Sequence, residues 1–182
     1  MPFGFFKKKK EKKEEGPHYD PTNIRLTDLR KGFVVDYNLK TWEVAEEYEY
    51  DWGDNYFSYE FKLVSSDETI FLSLDEDDEL EIQVLKKINF GRLDEGVEES
   101  LINKGKPPRK IEYEGKTYYR ESERPGYFRN TDNENWSEFI TWDYYDDSEK
   151  YALNIEQWGE DEFEASVGVL EEPEQFSNIL PG

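Results

Sequence analysis

Tyr37-Asn38-Leu39-Lys40-Thr41-Trp42 and Tyr113-Glu114-Gly115-Lys116-Thr117-Tyr118 are two copies of one local design. Each reads as a strand ending in an aromatic, a tight turn, and a returning strand that opens Lys-Thr-aromatic. Asn38 tolerates a positive φ and suits the first turn. Upstream of the first copy, Thr27-Asp28-Leu29-Arg30-Lys31-Gly32 forms a lead-in turn, and Phe33, Val35 and Tyr37 alternate with Val34 and Asp36. That alternation is strand period. Downstream, Trp42, Val44, Tyr48 and Tyr50 share one parity, and Glu43, Glu47 and Glu49 the other. Asp51 to Asn55 supplies turn residues. Phe57, Tyr59, Phe61 and Leu63 then alternate with Ser58, Glu60 and Lys62. Ile70, Leu72 and Leu74 form the next strand, Asp75 to Glu79 an acidic hairpin loop, and Leu80, Ile82 and Val84 close the unit.

The second copy continues in the same order. Arg124-Pro125-Gly126 and Asn130 to Asn135 read as turn-rich, and Trp136 to Tyr145 as a strand. Tyr151, Leu153 and Ile155 match Ile70, Leu72 and Leu74 at an offset of 81, and Asp161 to Glu164 match Asp78 to Glu81 at an offset of 83. Two residues inserted around Trp158-Gly159 account for the change. Phe163, Ala165, Val167 and Val169 alternate as the last strand of the unit. A repeated order with drifting offsets is what duplication of a sheet unit produces. Between the copies, Leu93, Val97 and Leu101 fall on one face of a short helix ended near Gly105.

The expected fold is therefore all-β: two similar antiparallel meanders packed as a sandwich or as paired small SH3-like barrels, with one short helix between them. Pairing two meanders buries their apolar faces and covers raw edges. The expected organisation is a Phe/Lys-rich tail over residues 1–23, a first β unit over 24–88, a linker with the helix over 89–109, and a second β unit over 110–182. Phe176, Ile179 and Leu180 at its end are expected to pack back on the domain.

Composition narrows the chemistry. Only 35% of residues are hydrophobic, but 16% are aromatic, and aromatics bury enough area each to build a core. The formal net charge is −21. Such a surface repels phosphate backbones, so nucleic acid is excluded as a partner, whereas cations, basic proteins and neutral sugars are compatible. There is no Cys, which removes disulfides, thiolate chemistry and Cys-ligated metal. The one His, His18, stands in a polar lead-in, so no His-based triad or HExxH site can form. The acidic run Asp75 to Glu79 lacks the ligand spacing of a calcium loop and reads as a solvated hairpin tip. No catalytic residue, metal site or cofactor follows from the sequence.

Two stretches carry the functional expectations. Residues 1–15 hold Phe3, Phe5 and Phe6 ahead of Lys7, Lys8, Lys9 and Lys10. This piece carries +3, leaving −24 on the rest. Aromatics beside a lysine cluster suit contact with an anionic membrane surface, each lysine adding about 1 kcal/mol. A basic protein is the other partner expected. The stretch lacks a signal peptide's apolar core, and no 18-residue apolar run occurs. The expected location is cytoplasmic, at most peripheral on the inner membrane face. Trp52 and Trp158, each followed by a glycine in an expected loop, are the candidates for a ligand platform, for a sugar or for a polyamine.

Leu26-Thr27-Asp28-Leu29-Arg30-Lys31-Gly32, Lys40-Thr41-Trp42-Glu43-Val44 and Leu153-Asn154-Ile155-Glu156-Gln157-Trp158-Gly159 give the chain a resemblance to an uncharacterised bacterial domain-of-unknown-function family over residues 24–180. Genes of that family lie near phage-shock-protein-A-like and spermidine-synthase-like genes. The resemblance implies a non-enzymatic accessory or interaction protein linked to envelope stress or membrane maintenance. It supplies no catalytic residues.

Overall fold

The computed structural model describes residues 16–182. The first meander is β1 (Val34–Tyr37), β2 (Lys40–Asp51), β3 (Phe57–Val64), β4 (Thr69–Glu76) and β5 (Leu80–Ile88). A short connection and α1 (Glu95–Lys104) follow. The second meander is β6 (Lys110–Tyr113), β7 (Lys116–Asn130), β8 (Ser137–Tyr145), β9 (Tyr151–Gly159) and β10 (Glu162–Glu171), and β11 (Phe176–Leu180) ends the chain.

The two copies occupy matching places. Tyr37 pairs with Lys40 across the first hairpin, and Tyr113 with Lys116 across its counterpart. Both turns use two left-handed residues, Asn38 and Leu39 at φ 50° and 62°, Glu114 and Gly115 at 46° and 77°. This is the turn whose twist fits a two-residue hairpin. The long strand after each turn carries a bulge, at Ala45 in β2 and at Glu121 in β7. Leu72 pairs with Val84, and its counterpart Leu153 with Val167. The residues inserted near Trp158 sit where β9 and β10 lose register, between Gln157 and Gly159.

Antiparallel pairings run in the order β11-β1-β2-β3-β4-β5-β10-β9-β8-β7-β6, and β2 also pairs with β7. Eight strands, β2 to β5 and β7 to β10, thus close a ring through two seams. At one seam Ile82 pairs with Glu171 and Ile88 with Ala165. Ala165 is the counterpart of Ile82, and Glu171 of Ile88, so the pair Leu85–Gly168 at the centre maps onto itself. It marks a local two-fold axis. Only one large side chain fits on that axis: a Cβ on Gly168 would lie 2.2 Å from the Val84 carbonyl oxygen and 2.9 Å from Leu85. At the other seam Tyr48 to Asp51 meet Asn130 to Tyr127. The ion pair Arg129–Glu49, 2.6 Å, crosses it between directly opposed residues.

Each meander has its own apolar core. Trp42, Val44, Phe61, Leu72 and Ile82 fill the first, joined by Leu29 and by Phe176 of β11. Tyr118, Trp142, Tyr144 and Leu153 fill the second, capped by Val97 and Leu101 of α1. The two cores lie on one continuous, partly ringed antiparallel sheet, an all-β arrangement of the sandwich or barrel kind expected. The helix ends on Gly105, left-handed at φ 71°, as its spacing predicts.

Four expectations change. Arg124-Pro125-Gly126 is continuous β7, with Pro125 opposite Ile140 and Gly126 opposite Phe139. β7 meets β2 only from Tyr127 onward, so the side of Pro125 away from β8 needs no donor. The Ala45 bulge flips the parity of β2, so Trp42 and Val44 enter the first core while Tyr48 and Tyr50 turn to the other face. Asp75 belongs to β4 and not to an acidic loop tip. The chain end docks as β11 on β1 of the first meander. Phe176 is buried and stacks on Tyr37 at 4.7 Å, but Leu180 is exposed.

Candidate functional site: an acidic, aromatic lumen

The strand faces turned away from the two cores look at each other across the ring and line a lumen. Ser58 and Glu60 of β3, Ser73 and Asp75 of β4, and Glu81 and Gln83 of β5 face it from the first meander. Thr141 and Asp143 of β8, Asn154 and Glu156 of β9, and Glu164 of β10 face it from the second. The duplication maps these carboxylates onto one another. Glu60 pairs with Ser73 as Asp143 pairs with Asn154, and Asp75 with Glu81 as Glu156 with Glu164.

One half of the lumen is neutralised from within. The Arg124 guanidinium reaches Asp75 and Asp143, each at 3.3 Å, and lies 4.1 Å over the Trp52 ring. Gly126 permits this, because a Cβ there would meet the Trp52 ring at 2.9 Å. Trp52 is fixed in turn by its Nε1 donating to Ser58 Oγ at 2.8 Å. Asp143 also accepts from Ser122 Oγ at 2.9 Å and Asn154 Nδ2 at 2.8 Å, and Asp75 from the Tyr56 hydroxyl.

The other half differs. A cavity of about 370 Å³ opens between the meanders, walled by Tyr48, Tyr50, Phe128 and Trp158 with Glu60 and Glu156 on its sides. Lys87 and Glu164, 3.6 Å apart and half exposed, stand at its mouth with the exposed Ser137. Lys87 is also held over the Phe71 ring at 5.0 Å. Among the described residues no basic side chain pairs with Glu156. Burial pushes its carboxyl up to about 8, helped by Glu60 and Glu164. Burial likewise raises Glu60 to about 7, with Lys87 and the Tyr50 hydroxyl pulling it partly back. Trp158 Nε1 is enclosed and has no acceptor.

Trp52 and Trp158 are brought together here. Both pack on Phe139, at 5.4 Å and 4.9 Å between ring centres, and both are half-buried lumen walls. Trp42 and Trp142 are core residues, and the most exposed tryptophan is Trp136, under Arg129. Phe3, Phe5, Phe6 and Lys7 to Lys10 lie outside the described residues. Among the described residues no helix is long and apolar enough to cross a membrane. Arg124, Glu60, Glu156 and Phe139 are site residues that sequence reasoning passed over. One signal pointed to the two glutamates and none to Arg124 or Phe139: the repeat matches an acid with an acid at three positions, Glu60 with Asp143, Asp75 with Glu156 and Glu81 with Glu164.

An uncharacterised protein of Aquifex aeolicus (strain VF5) is 28% identical over 177 residues, which are 97% of this chain and 94% of that protein. No solved structure matches. The sequence profile of a domain of unknown function, DUF4178, matches residues 30–173, most of both meanders. The chain belongs to the DUF4178 family.

Proposed function

We propose that this protein is a non-enzymatic binding module that holds a small organic cation, such as a polyamine, in the lumen between its two meanders. The observation that carries the reading is the pair Glu60 and Glu156: enclosed carboxyls facing a cavity with aromatic walls, which among the described residues form no ion pair, Lys87 standing off at the mouth with Glu164. Enclosed charge is tolerated when paired. Aromatic faces and carboxylates together select a cation over a neutral sugar. A volume near 370 Å³ is in the range of small-ligand pockets.

Thermal unfolding with spermidine at two fixed ionic strengths tests it. A rise in Tm that persists at the higher ionic strength and is lost in Glu156→Gln is expected. A rise reproduced by sodium chloride alone removes the site. The accessory role at a basic or membrane-bound partner rests on the charge split between residues 1–15 and the rest. Flotation with anionic liposomes, with and without those residues, checks it: equal flotation of both forms removes the tail from the account.

A further inference from the structure

The lumen contains its own example of what its carboxylate pairs accept. Asp75 and Asp143 hold the guanidinium of Arg124 between them, with the Trp52 indole as the flat surface beneath it. The local two-fold through Leu85–Gly168 exchanges Asp75 with Glu156 and Asp143 with Glu60, as the strand registers show. Glu60 and Glu156 are therefore the two-fold mate of that pair, each pair taking one carboxylate from each meander. Among the described residues no basic side chain pairs with Glu60 and Glu156 as Arg124 pairs with Asp75 and Asp143. The two-fold does not supply the indole: Trp52 follows β2, and Trp158 sits in the register break of β9. Even so, each tryptophan flanks one pair and both rest on Phe139.

We propose that the cavity is a site for a free alkylguanidinium, which takes between Glu60 and Glu156, against Trp158, the place that Arg124 takes between Asp143 and Asp75, against Trp52. This rests on the cation-binding reading above and narrows its ligand class. The planar fork of a guanidinium donates to two carboxylates at once and stacks flat on an indole; a primary ammonium is a compact point charge that does neither as well. Glu60 and Glu156 each add a methylene to the Asp side chains they replace, so their oxygens can close on a head group approaching from the mouth. The alkyl chain then passes the Tyr48 and Phe128 rings. Trp158 Nε1 offers a hydrogen bond to any oxygen the ligand carries.

Isothermal titration of the full chain at fixed ionic strength, pH 8, tests this with agmatine, 1-aminopentane, spermidine and a Gly-Arg-Gly peptide. Agmatine is expected to bind at least about tenfold more tightly than the alkylamine, the difference a well-placed bidentate contact makes. Glu156→Gln should remove that preference, whereas Glu76→Gln, on an exposed strand end, should keep it. Circular dichroism confirms the fold of both, and Glu60→Gln is the second lumen variant. Agmatine and alkylamine binding equally, or a preference that survives both lumen variants, overturns the proposal. Spermidine binding that needs Glu156 without agmatine binding overturns the guanidinium assignment and leaves the cation reading standing. No binding by any of the four overturns both. Tighter binding of the peptide than of agmatine overturns the free-ligand assignment and makes the occupant an arginine side chain of another protein.

Discussion

Glu156 and Arg124 are opposite solutions to one problem. Arg124 satisfies two enclosed carboxylates, while Glu156 is enclosed with no basic partner of its own. Removing Arg124 leaves Asp75 and Asp143 facing each other unneutralised. Arg124→Ala is expected to cost about 2–4 kcal/mol, somewhat less than breaking a fully buried pair because its side chain is a third exposed. Chemical denaturation at pH 7 measures it. Glu156→Gln should act the other way. Its carboxyl holds a proton in the folded protein up to about pH 8 but releases it near pH 4.5 when unfolded. The folded state therefore binds more protons across that window, and stability falls as pH rises through it. The charges of Glu60, Glu164 and Asp143 face the same group and raise it further, and that of Lys87 opposes them. Glutamine at 156 should raise stability at pH 8 by about 1–3 kcal/mol and leave it nearly unchanged at pH 5. Thermal unfolding at both pH values checks this; equal effects at the two would contradict it.

The strands explain why the lumen exists. Each long strand, β2 and β7, serves a core with its first half and the ring seam with its second, and a bulge marks the change. A bulge re-aims side chains without ending the strand, so Tyr48 and Tyr50 reach the lumen from the strand that buries Trp42. The seam between β5 and β10 depends on Gly168. A methyl there meets the Val84 carbonyl, which is backbone and cannot swing away. Gly168→Ala is expected to destabilise by about 1–3 kcal/mol as overpacking does. For a chain of this size that is a fall in Tm of about 2–4 °C per kcal/mol. Gly96→Ala is the control. Nothing lies within 4 Å of a Cβ there, and it sits inside α1, where it should stabilise by about 0.5–1 kcal/mol.

Taken together, the molecule is two meanders joined by two backbone seams around a polar interior, under a strongly negative surface. Self-repulsion at −21 opposes the compact state and is screened by salt. Raised carboxyls at Glu47, Glu60, Asp75 and Glu156 push the same way as pH rises. The wild-type Tm is therefore expected to decline from about pH 5 to pH 8 and to recover in part on adding salt at pH 8. A scanning series over pH and sodium chloride reads both slopes; a Tm that climbs from pH 5 to pH 8 at low salt would contradict the account.

The sequence by itself determined the all-β class, most of the strands and the paired turns. Period-two alternation and residues such as Asn38 and Gly115 act within a few positions and need no distant partner. It offered Trp52 and Trp158 as candidates only through the glycine that follows each. Only the tertiary structure decided that the face bearing Ser58, Glu60, Asp143 and Glu156 looks inward. Alternation says which residues share a face, not what that face meets, and a lumen between two meanders reads like a surface turned to water. The seams that close the ring are backbone hydrogen bonds, which any residue but proline can make, so no side-chain pattern announced them. Arg124 escaped notice for the same reason: Pro125-Gly126 has the composition of a turn, and only the Trp52 ring lying against Gly126 shows why a strand needs a glycine there.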